Sequence, residues 1–152
     1  MTDAVTRVET TSIHPSTLRL LGGPAVLVET KRRAASRARG LVLKYRAVER
    51  LSAFLNASPP QLMRVIEINE RTAQRRKEQG ALTAEESDRL ARVARVTQRA
   101  VDAIGDENQA REWLRRTNRA LQGAIPLELL GTDAGAERVA DELGRIEYGD
   151  LY

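Results

Sequence analysis

The chain has 152 residues, with 25 Lys and Arg against 21 Asp and Glu, a formal net charge of +4, no cysteine and one histidine. The absence of cysteine excludes a disulfide scaffold, a thiolate zinc site and a cysteine nucleophile, and a lone histidine excludes a His-rich metal site. A hydrophobic fraction of 41% is enough for one compact domain or two very small ones, while 30% charged residues leave no apolar run long enough to span a membrane. The opening residues, MTDAVTRVETTS, do not read as a secretory leader, so the expectation is a cytoplasmic protein that needs no metal or cofactor. The charge is uneven: +6 over residues 1–60, +2 over 61–104 and −4 over 105–152. Either two surfaces serve different partners or the asymmetry is chance variation.

In chain order, residues 1–40 read as a partly flexible arm with one short ordered element, because Pro15, Pro24 and Gly22-Gly23 interrupt any longer helix. The run Lys31-Arg32-Arg33, followed by Arg37 and Arg39, suits either DNA phosphates or a solvated helix start. From about Ala34 the pattern is helical, with Leu41, Tyr45, Val48, Leu51 and Leu55 forming one stripe. Ser58 before Pro59-Pro60 is an N-cap signal for a short helix bearing Leu62, Val65 and Ile66. Asn69 caps a second one, Glu70 to Gln79, ended by Gly80. Thr83 with Glu86 forms a capping box for a long helix whose stripe is Leu90, Val93, Ala94, Thr97, Val101 and Ile104, ended by Gly105. Asp106 and Gln109 start another, burying Ala110, Trp113, Leu114 and Thr117. Pro126 begins the short helix PLELL, and Thr132 caps a final one with Ala136, Val139, Ala140 and Leu143 inward, ending at Gly144. No stretch alternates long enough to argue a strand. The expected fold is all-α with about seven helices, divided into the arm (1–40), a helix-turn-helix domain (41–104) and a C-terminal domain (105–152).

Two short helices across a tight turn at 59–80 have the spacing of a DNA-binding helix-turn-helix, with Leu62, Ile66, Ile68 and Ala73 inward. The second helix then exposes Gln74, Arg75 and Lys77, with Glu70, Arg71 and Thr72 at its start, as the base- and phosphate-reading set. Three positions depart from the usual pattern: Glu67 stands where the turn favours glycine, Met63 where alanine is common, and Arg76 where an inner apolar residue is usual. An ordinary helical hairpin with a solvated basic face has the same spacing. In the acidic C-terminal part, Trp113 suits a core residue or an interface anchor, and Tyr148 and Tyr152 either fill a partner's pocket or tuck back onto the helices. Material for an enzyme is thin. Glu85, Glu86 and Asp88 sit in a first helical turn, where acids complement the helix dipole, and His14 has no evident partner.

The stretches INERTAQRR, GALTAEESDRLARVARV and AREWLRRTNRALQGAIPLELLGTDAGAERVADELGRIEYGDLY carry a family pattern. A Trp-Leu pair, Asn-x-x-Leu, Gly, Pro, two leucines, Thr-x-x-Gly-Ala and Arg-Ile-Glu-x-Gly follow in order. Across about 41–152 the chain resembles the Xre/MbcA/ParS family of type II antitoxins. The resemblance implies an Xre-like helix-turn-helix region that binds the operon's own promoter as a homodimer. It implies a C-terminal region that blocks the active site of a RES-type, NAD-degrading toxin or a ParT-type ADP-ribosyltransferase, within a higher toxin–antitoxin complex. It further implies that Arg145, Ile146, Glu147, Tyr148 and Gly149, with the tail Asp150, Leu151 and Tyr152, contact the toxin. The alternative is a helix-turn-helix transcriptional regulator whose C-terminal region serves only dimerisation.

Overall fold

The computed structural model describes residues 13–28 and 41–149. Within them lie seven α-helices: α1 (Pro15–Leu20), α2 (Arg46–Leu55), α3 (Pro59–Val65), α4 (Glu70–Gln79), α5 (Ala84–Ile104), α6 (Glu107–Arg115) and α7 (Asp133–Tyr148). Short 3-10 turns occupy Pro24–Val26, Arg119–Leu121 and Pro126–Leu129. Extended pairing among the described residues is limited to the isolated bridges Leu27–Leu43, Lys44–Ala81 and Asn118–Ala124. The all-α expectation holds.

The 21-residue α5 forms the centre. Its start is fixed locally: the Thr83 hydroxyl accepts the Glu86 N–H at 3.2 Å, and the Glu86 carboxylate accepts the Thr83 N–H at 2.9 Å. Leu90, Ala91, Val93, Ala94, Thr97 and Ala100 are then buried around much of its circumference. Such a helix needs neighbours on several sides, and α1, α6 and α7 pack against it. The Thr97 hydroxyl is satisfied inside this core by donating to the Val93 carbonyl at 2.8 Å.

The N-terminal arm holds two ordered elements instead of one, α1 and the Pro24–Val26 turn, and both reach the core through Leu18, Leu21 and Val26. Pro15 and Pro24 begin these elements instead of breaking them, since proline's missing N–H costs nothing at a first helical position. The helix expected from Ala34 also differs. Residues 29–40 lie outside the described part, and α2 starts only at Arg46. Leu43 and Lys44 are extended because their backbone groups bond elsewhere: Leu43 N–H to the Ser87 hydroxyl, Lys44 N–H to the Val26 carbonyl.

Thr117 lies beyond α6 and is exposed. Arg116 turns extended, and Asn118 caps a tight loop in which Gln122 and Gly123 are left-handed. The expected stop at Gly144 is likewise corrected. The helix runs through it to Tyr148, with Ala140 half-buried and Leu143 fully buried just before it. A mid-helix glycine costs only about 1 kcal/mol relative to alanine, too little to end a helix packed on α5.

Two glycines are required by packing. A methyl group on Gly135 would collide with the Leu129 carbonyl, and one on Gly131 with the carbonyl of Val65, the last residue of α3. Gly131 is buried there, and Arg92 of α5 holds the junction by donating to the Gly131 carbonyl at 3.0 Å and pairing with Asp133 at 2.8 Å. Gly131→Ala is therefore expected to destabilise the fold by about 1–3 kcal/mol, the usual cost of overpacking. Chemical denaturation checks this, and an unchanged midpoint contradicts the close seat.

Candidate functional site

The helix-turn-helix is built as the cap residues dictate. Ser58 and Gln61 cap α3 reciprocally, and the Asn69 side chain accepts the Thr72 N–H at 2.9 Å to start α4. Between them the chain makes a Schellman turn: Glu67 N–H bonds the Arg64 carbonyl and Ile68 N–H the Met63 carbonyl. Glu67 sits at φ 63, so the position that favours glycine is real and is filled by a glutamate in left-handed backbone. Met63 is almost fully buried, as is Ile68, which suits the apolar pairing that accompanies this turn.

Arg76, the third departure, has a definite partner. Its Nε donates to the Glu86 carboxylate at 2.7 Å, and both side chains are largely buried. The carboxylate that closes the cap of α5 thus also fastens α4 to it. Burial alone pushes the Glu86 carboxyl up. Hydrogen bonds from Arg76 and Thr83, with the guanidinium charge, outweigh that and hold its pKa below the ordinary 4.5. Arg76 is correspondingly held more firmly protonated, first by its hydrogen bond to Glu86. Sequence reading missed this pair because its members are ten positions apart on different helices.

No residue of α4 is fully buried. Glu70, Arg71, Gln74, Arg75 and Lys77 are exposed on this one helix, and Thr72 is half-buried. Gln74 donates to Glu78 one turn on, at 3.2 Å. The helix thus presents Arg71, Arg75 and Lys77 as cations with no ion pair among the described residues, the chemistry that phosphate and base edges require. The basic run Lys31 to Arg39 lies outside the described residues.

Of the C-terminal set, Arg145, Ile146, Glu147 and Tyr148 form the last turn of α7, and Gly149 ends it at φ 63. Asp150, Leu151 and Tyr152 lie outside the described residues. Ile146 is 39% and Tyr148 82% exposed, the only large hydrophobic side chains exposed among the described residues. Arg145 pairs with Glu142 at 3.3 Å. Beside them an open groove between α5 and α7 is lined by Arg99, Asp141, Gly144, Arg145 and Tyr148. Trp113 is half-buried against the core, so the exposed aromatic of this region is Tyr148. No group of three His, Asp or Glu among the described residues is placed to hold a metal ion, and none of their helices is long and apolar enough to cross a membrane. Glu85 pairs with Arg89 and Glu86 with Arg76, so the acidic start of α5 is occupied structurally.

Residues 32–95 match the antitoxin Xre-like helix-turn-helix domain family, and residues 99–149 match the antitoxin Xre/MbcA/ParS C-terminal toxin-binding domain family. The two matches meet within α5. A protein named antitoxin Xre from Photorhabdus laumondii is 36% identical over 104 residues, 67% of this chain and 70% of that protein. Another, from Yersinia enterocolitica, is 39% identical over 102 residues, 64% and 69% of the two chains. A third, from Pseudomonas putida, is 35% identical over 68 residues, 45% and 43%.

Because the folded-state pKa of Glu86 is depressed, its contribution to stability is present above the unfolded value near 4.5 and is lost as pH falls through the folded value. Denaturation at pH 7 and at about pH 3 checks this. Glu86→Gln is expected to be less stable than wild type at pH 7 and to lose less on acidification. An equal acid loss in both proteins contradicts the role given to this carboxylate.

Proposed function

The chain belongs to the Xre/MbcA/ParS family of antitoxins, and from that premise we propose that it silences a RES-type or ParT-type toxin by laying the end of α7 across the toxin's active-site entrance. It is a binding protein and not an enzyme, and a toxin and DNA are the partners its two domains imply. The observation that carries the blocking mechanism is the exposure of Ile146 and Tyr148 on a helix whose inner face, through Val139 and Leu143, is fully buried. Rigid backing with an apolar tip suits a plug, because little ordering entropy is lost on docking. In this reading Arg145–Tyr152 form the contact set. Tyr148 and Tyr152 enter a nucleotide-shaped pocket, and Glu147 and Asp150 pair with arginines that a toxin acting on NAD uses for phosphates. The same protein represses its operon as a homodimer, with Gln74, Arg75 and Lys77 reading the major groove, Glu70, Arg71 and Thr72 at the start of α4, and a higher toxin–antitoxin complex forming on top.

Deleting 146–152 removes the exposed end of α7 and the residues after it while leaving the buried Val139 and Leu143 in place, so the helical circular dichroism is expected to stay near wild type while inhibition in a toxin activity assay is lost. Full inhibition by the truncated protein overturns the plug. On the DNA side, Arg75→Ala is expected to weaken operator binding by about 1–3 kcal/mol if it reads a base, with relaxed specificity at one position. Gel-shift titration over a salt series checks it, and operator affinity unchanged at every salt concentration removes α4 from the interface.

A further inference from the structure

A second groove lies between α3 and the Pro126–Leu129 turn. Its floor is Ala57, Val65, Ile125 and Leu127. Arg64 and Arg115 stand on its rim, with Gln61 and Glu128 beside them. Both arginines are exposed, and neither makes an ion pair among the described residues. The groove therefore joins an apolar floor to a rim with one excess positive charge.

The end of the chain has the complementary composition. Ile146, Tyr148, Leu151 and Tyr152 are apolar, and Glu147 and Asp150 are acidic. Arg145, the one cation beside them, is already paired with Glu142 and does not cancel this charge. We infer that, without toxin, this groove receives residues 146–152 of a second copy of the chain, with Glu147 and Asp150 against Arg64 and Arg115 and the apolar side chains on the floor.

The same chain's tail cannot reach. The groove lies at the N-terminal end of α7, since its member Val65 is the residue against which Gly131 is seated. The 16 residues of α7 carry the chain about 24 Å away from that point. The four residues from Gly149 to Tyr152 span at most about 14 Å. A second copy has no such limit. Two α7 helices side by side and antiparallel bring each tail to the other's groove, so reciprocal exchange closes a twofold dimer and leaves no groove open. This pairing does not depend on where the toxin is bound.

The absence of cysteine makes the test clean. Full-length Gln61→Cys is mixed with full-length Gly149→Cys, without toxin, under mild oxidation. Only contact between copies yields the mixed disulfide. The expected result is a cross-linked heterodimer whose yield falls about tenfold or more with Arg64→Glu and Arg115→Glu in the first chain. Yield returns when the second chain also carries Glu147→Arg and Asp150→Arg. Arg64, Arg115 and Glu147 are exposed, and helical circular dichroism matching the parent chains confirms folded partners. Absence of the cross-link, or a yield indifferent to the charge reversals, overturns the inference.

Discussion

The placement of the two working ends of this molecule depends on the seat of Gly131 against the Val65 carbonyl. Val65 closes α3, and Gly131 stands two residues before α7, so this close backbone contact joins the helix-turn-helix to the start of the C-terminal helix, beside the packing of α7 along α5. No side chain fits between them. Arg92 locks the arrangement by bonding the Gly131 carbonyl and pairing with Asp133 in the first turn of α7, where an acid already suits the helix dipole. From that junction α4 and α7 extend as separate elements on the common support of α5. The Arg76–Glu86 pair does for α4 what Arg92 does for α7: each uses an arginine to tie an outer helix to the central one.

This economy accounts for a chain with few aromatics. With one Trp, three Tyr and one Phe, large rings contribute little to the core, and fully buried leucines such as Leu21, Leu51, Leu62, Leu90, Leu114 and Leu143 supply much of the apolar volume. The exposed face of α4 and the tip of α7 are then free to carry charge and apolar contact chemistry. The split in net charge along the sequence corresponds to them in part: α4 presents cations, while Glu147 in the last turn of α7 and Asp150 just after it are acids.

What could be read from the sequence was local. Ser58, Asn69, Thr83, Asp106 and Thr132 each cap the helix expected of them, because a cap involves only the next three residues. The left-handed site at Glu67 was legible as a position that wants glycine, though not how a glutamate is held there; that is settled by the Schellman bonds to Arg64 and Met63. What was not legible was long-range. The sequence gives no hint that Arg76 meets Glu86, that Arg92 reaches Gly131 across 39 positions, or that α1 packs into the core. Gly144 misled for the same reason, since packing on α5 overrides a local stop signal. In the candidate sites the residue types were apparent from spacing and resemblance, while exposure, which makes Ile146 and Tyr148 noteworthy, required the fold.

The central claim is that the toxin is engaged by the end of α7 and leaves α4 open. Backbone hydrogen exchange of the antitoxin, alone and saturated with its cognate toxin, tests this most directly. The account predicts that new protection is concentrated on the last turns of α7 and the residues after it, with exchange in α4 little changed. Protection falling on α4 while the end of α7 exchanges as in the free protein would contradict it.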